Sequence, residues 1–93
     1  MNELEFLRER INQIDSGLID LLSDRLWIIK EVAEYKAKNN LPIYQPEREV
    51  EVFSRLRALS DQKGLDYAYI EPLFKLIIKN SREIQEGKIK NIV

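Results

Sequence analysis

The chain has 93 residues, a formal net charge of −1, 44% hydrophobic and 33% charged residues, and neither cysteine nor histidine. One domain is the most that length holds, and disulfides, thiolate chemistry, the usual general base and the commonest metal ligand are all excluded. A near-neutral charge gives no bulk field for nucleic acid or an anionic membrane, no apolar run reaches the roughly 18 residues of a bilayer span, and the charged start MNELEFLRER is unlike a signal, so a cytoplasmic protein is expected.

From Asn2 to Asn40 there is no proline and a single glycine, Gly17. Leu4, Leu7, Ile11, Ile14, Leu18, Leu21, Ile28, Val32 and Tyr35 recur at alternating steps of three and four, a heptad seam in which Arg25 takes one apolar position. A helix of that length runs ~57 Å. A compact domain of this size has a radius of gyration of only about 13 Å. The helix must therefore project from its own chain, and its seam calls for a partner. A domain this small is also marginal alone, burying roughly 60% of its unfolded surface.

Leu41-Pro42-Ile43-Tyr44-Gln45-Pro46 ends that helix, and Pro46 suits the first turn of a second. Val50, Phe53, Leu56 and Leu59 or Ala58 are its expected apolar face, and Gly64 its terminator. Asp66 is an N-cap for a third helix with Leu73, Phe74, Ile77, Ile78 and Ile84 on its core face. Pro72 removes a helical hydrogen bond, so either the first turn is loose or the helix bends there. Gly87 ends it, and residues 88–93 read as a frayed, flexible tail. The reading is all-α, three helices in one domain over 1–93, the first very long and intertwined with that of a second copy.

The informative residues are charges and amides beside apolar faces. Arg25 and Lys36 are eleven residues apart, about 1100° of helical turn, so they point the same way within ~20° and lie ~16 Å apart along the axis. Two long cations so placed can close on one small anion. Arg8, ~26 Å before Arg25 on a straight helix, cannot share a small ligand with it in one chain, but can across an antiparallel pair. Arg48 and Glu49 fall in the first turn after Pro46, and Ser81 and Gln85 share a face of the third helix. Each has a plain structural alternative: Arg25 setting coiled-coil register, Arg8, Lys36 and Arg48 as solvated charges, Glu49 favouring a helix N-terminus, Ser81 and Gln85 as flank residues.

The chain from Leu7 to Gln85 resembles the all-helical class of chorismate mutases. The resemblance runs through Leu7-Arg8-Glu9-Arg10-Ile11-Asn12-Gln13-Ile14-Asp15, Leu21-Leu22-Ser23-Asp24-Arg25 and Val32-Ala33-Glu34-Tyr35-Lys36. It continues through Pro46-Glu47-Arg48-Glu49 and Leu76-Ile77-Ile78-Lys79-Asn80-Ser81 to Gln85. It implies a cofactor-free, metal-free rearrangement of chorismate to prephenate, a step towards phenylalanine and tyrosine, by a homodimer. By that resemblance Arg8 (from the second copy), Arg25, Arg48 and Lys36 hold the two carboxylates and the ether oxygen. Glu49 takes the hydroxyl, and Ser81 and Gln85 complete the site, with Lys36, Gln85 and Arg25 carrying the chemistry. Gln45 stands where the family often has aspartate. The alternatives are an isochorismate pyruvate lyase, which shares the fold and similar cations but usually lacks the residue matching Glu49, and a non-catalytic helical dimerisation module, which needs no cations in its seam.

Overall fold

The computed structural model describes residues 2–87; Met1 and the tail expected over 88–93 lie outside the described residues. Three helices follow one another, α1 (Glu3–Lys38), α2 (Pro46–Lys63) and α3 (Tyr67–Gln85), with no strand among the described residues.

Local chemistry sets the ends. Asn2 Oδ1 accepts from the Glu5 N–H at 2.8 Å at the start of α1, and Lys36 and Lys38 in the last turn oppose the negative end of the helix dipole. Asn40 then adopts a left-handed conformation (φ 54°), which lets the Leu41 N–H turn back to the Lys36 carbonyl at 2.9 Å. Pro46 opens α2, and Gly64 (φ 70°) closes it. Asp66 Oδ1 caps α3 through the Ala68 N–H at 2.9 Å, and Gly87 (φ 75°) turns the chain off its end. The helix runs through Pro72, which is exposed, so water can serve the Ala68 carbonyl that the proline leaves without its donor.

Helix α3 is the centre of the packing. Both α1 and α2 lie against it, and not against each other. Its inward stripe is Tyr67, Ile70, Phe74, Ile77, Ile78, Ser81, Ile84 and Gln85; that of α2 is Glu49, Val52, Phe53, Leu56 and Ser60. Val50, Ala58, Leu59 and Leu73, expected on core faces, are exposed instead, Val50 at 72%. With α2 covered on one side only, the 49/53/56/60 stripe takes that side and Val50 is turned away.

The chain nevertheless has little core. Leu56 and Ile78 are the only buried hydrophobic residues among those described, each still 8% exposed, and α1 buries none. Apart from Gly17, its half-buried residues all lie in its C-terminal half, among them Arg25, Leu26, Ile29, Val32, Ala33 and Lys36; every residue from Asn2 to Ser16 is exposed. Of the heptad seam only Arg25 and Val32 are half-buried; the rest is exposed, Leu21 at 65% and Ile28 at 56%. The molecule measures 56 × 33 × 16 Å with a radius of gyration of 16.5 Å, against about 13 Å for a compact chain of this length. An apolar trough of about 570 Å³ runs between α1 and α3, lined by Ile19, Leu22, Leu26, Ile29, Leu76, Ile77 and Ile84 together with Arg25 and Ser81.

Candidate active site

The three inward stripes do not stay apolar to their ends. On α1 the spacing that sets Ile29 and Val32 against α3 also places Arg25 and Lys36 there. On α3 the stripe runs from Ile78 to Ser81 and Gln85, and on α2 it begins at Glu49. The polar continuations meet in a pocket of about 310 Å³, walled by Ile28, Ile29, Val32, Ile43, Val52 and Ile78. Arg25, Lys36, Gln45, Arg48, Glu49, Ser81 and Gln85, seven of the eight residues expected from the sequence, line it. Arg8 does not; it sits on the exposed half of α1.

Lys36 Nζ donates to Gln85 Oε1 at 2.9 Å and to the Ile43 carbonyl at 2.8 Å. An ammonium has three donors and no acceptor, so one N–H remains for a ligand and Gln85 must present its carbonyl to the lysine. That orients the amide and leaves Nε2 as a donor directed elsewhere. Burial pushes the Lys36 pKa below the ordinary lysine value, with the nearby Glu49 carboxylate opposing the shift. Arg25 Nη1 donates to Ser81 Oγ, whose own proton goes to the Ile77 carbonyl at 2.9 Å. Ser81 thus acts on Arg25 as an acceptor that fixes the guanidinium. Burial lowers the Arg25 pKa as well. Neither Arg25 nor Lys36 has a carboxylate within ion-pair distance among the described residues.

The α2 side is arranged differently. Arg48, at the rim, is paired with Glu51 at 2.7 Å, both exposed. Gln45, just before α2, donates from Nε2 to the Pro42 carbonyl at 3.3 Å. Glu49 faces Arg82 of α3, Oε2 to Nε 3.2 Å, and the Arg82 guanidinium lies 5.0 Å from the centre of the Tyr44 ring. Arg82 lines the pocket and was not anticipated from the sequence; the available signal was a cation three residues before Gln85, one helical turn away. No group of three or more carboxylates among the described residues is placed to hold a metal ion, and no helix among them is long and apolar enough to cross a membrane.

Two partly desolvated cations with no ion-paired carboxylate, held by neutral acceptors between apolar walls, have the chemistry of a site for a small organic anion. The chain belongs to the chorismate mutase type II family, whose model matches residues 7–86. Members of that family are isomerases that convert chorismate to prephenate. The chain is 35% identical over 86 residues to the T-protein of Enterobacter agglomerans, covering 92% of this chain and 23% of that protein. It is 40% identical over 80 residues to a bifunctional chorismate mutase/prephenate dehydratase of Buchnera aphidicola subsp. Schizaphis graminum, covering 86% of this chain and 21% of that protein. With the chorismate mutase of Methanocaldococcus jannaschii it shares 29% identity over 86 residues, 92% of this chain and 87% of that one. The chain thus spans less than a quarter of the first two relatives and most of the third.

Proposed function

We propose that this chain, in the cytoplasm, rearranges chorismate to prephenate in a pocket that a second copy completes. The observation that carries the reading is the pair Arg25 and Lys36, desolvated in one pocket and without carboxylate partners. In a Claisen rearrangement the ether C–O bond breaks as a C–C bond forms, with no atom lost, no base and no nucleophile. Catalysis then reduces to holding the folded conformer and meeting the negative charge that grows on the ether oxygen. Arg25 and Arg48 grip carboxylates, for which the planar guanidinium is suited. Arg48 must leave Glu51 to do so, a small loss for an exposed pair. The spare N–H of Lys36 and Nε2 of Gln85 converge on the ether oxygen, and Glu49 and Gln45 face the hydroxyl end.

A second copy accounts for the rest. The seam of α1 is apolar, exposed and longer than its own chain can cover, and ordering each residue costs about 1–2 kcal/mol that two buried hydrophobic residues do not offset. In an antiparallel pair the partner's α1 covers the seam and brings its Arg8 to the pocket. Mixing tests this. Arg8→Ala and Arg25→Ala should each be inactive, yet a re-paired mixture should recover about a quarter of native turnover, since half of the dimers are mixed and each mixed dimer has one intact site. Verified mixed dimers with no prephenate formed would exclude the shared site.

Gln85 offers a pH test. The native amide does not titrate. In Gln85→Glu the carboxylate is acceptor-only above its ordinary pKa of ~4.3. Lys36 at 2.9 Å from the native Oε1 favours ionisation further. Turnover should be poor at neutral pH and recover as the pH falls and the group regains its proton; Gln85→Ala should be poor throughout. Were Gln85→Glu to follow the native pH profile, Gln85 would not be a donor to the developing charge.

A further inference from the structure

We infer that Arg82 is a positioning residue: from α3 it gives Glu49 a counter-ion of its own and fixes that carboxylate at the hydroxyl end of the pocket. This rests on the proposed role of Glu49 as acceptor for the substrate's hydroxyl.

A carboxylate inside a pocket for a dianion needs a reason not to do harm. Glu49 repels the ligand's carboxylates, and it lies near enough to Lys36 to influence its charge. If Glu49 turned to Lys36, the ion pair would neutralise the ammonium meant for the ether oxygen. Arg82 removes that option. Its Nε is sealed from solvent and stands 3.2 Å from Glu49 Oε2, at an angle too oblique for a hydrogen bond, so the attraction is that of an ion pair. The remainder of the guanidinium lies over the Tyr44 ring, whose face attracts a cation. Arg82 is thereby held by α2 on one side and by the connecting segment on the other. With Glu49 so occupied through Oε2, Oε1 is left to accept from a hydroxyl, and Lys36 retains only the neutral acceptors Gln85 and Ile43.

The test is a double-mutant cycle with Arg82→Gln and Glu49→Gln, read as kcat and KM for chorismate with a thermal melt of each protein. If Arg82 acts through Glu49, Arg82→Gln lowers kcat/KM by roughly tenfold. In the Glu49→Gln background it changes kcat/KM less than about twofold. Arg82→Lys restores part of the loss, having the charge without the planar face. Full multiplication of the two losses overturns the inference, since Arg82 then acts independently. A defective Arg82→Gln beside a fully active Glu49→Gln overturns it too, and that outcome alone also removes the role of Glu49. Should Arg82→Gln not fold, the cycle is run with Arg82→Lys: sub-additive losses support the inference and multiplicative ones end it.

Discussion

Replacing Lys36 by methionine should lower kcat by about a thousandfold, the upper end of what the loss of one donor to a developing oxyanion costs. The ammonium is partly desolvated, and its two contacts, at 2.8 Å to the Ile43 carbonyl and 2.9 Å to Gln85, leave the third N–H for the ligand. Removing it takes away that donor and also frees the Gln85 amide to rotate. Arginine should not substitute, because a planar fork cannot reproduce a compact three-donor head. The native protein should show the same dependence through pH. In the proposed role Lys36 must be protonated, and burial lowers its pKa. Turnover should therefore fall as pH rises through a value below the ordinary ~10.4. The Lys36 contribution to stability has the opposite sign. The unfolded chain binds this proton more tightly than the folded one, so that contribution increases with pH across the window between the lowered pKa and the ordinary one. Steady-state kinetics with circular dichroism decide the matter; Lys36→Met within tenfold of native kcat, correctly folded, would remove Lys36 from the ether oxygen.

Arg25→Leu should abolish turnover while leaving the melting temperature unchanged or higher. Two charge-assisted hydrogen bonds to a carboxylate are worth about 3–6 kcal/mol, or roughly 10² to 10⁴ in kcat/KM. Stability gains because Arg25 is half-buried and has no carboxylate partner among the described residues. Buried charges are often replaceable by apolar residues at no loss. The substitution also orphans no buried donor, since the Ser81 proton already goes to the Ile77 carbonyl. A scanning melt beside the activity assay reads both effects. A large fall in melting temperature with turnover retained would make Arg25 a structural residue.

What could be read in the sequence was what local chemistry decides. Pro46, Gly64, Asp66 and Gly87 mark helix ends through their own backbone or side-chain properties, and all four do so in the structure. Arg25 and Lys36 could be read because a cation on an apolar stripe is conspicuous at helical spacing. The inward face of α2 was less legible: Val50, Val52, Phe53, Leu56, Ala58 and Leu59 surround much of the helix, and only its docking on α3 selects Val52, Phe53 and Leu56. Arg82 was hidden for a related reason. Its significance lies in Glu49, thirty-three residues earlier, and in Tyr44, and only the packing of α2 on α3 brings the three together. Arg8 lies on the exposed half of α1, outside the pocket, so its proposed role depends on the proposed second copy.

One property of the packing has a mechanical meaning. Helices α1 and α2 are each fastened to α3 and not to one another, so the chain is a frame with two sides and an open third. The proposed cations stand on both free sides, Arg25 and Lys36 on α1 and Arg48 on α2. A dicarboxylate gripped from both is a strut across the gap. Its binding energy then stiffens the frame as well as orienting the ligand, and resistance to unfolding rises with ligand concentration as RT ln(1 + [L]/Kd). A substrate analogue with one carboxylate removed closes no triangle, and loses rigidity in the protein along with affinity.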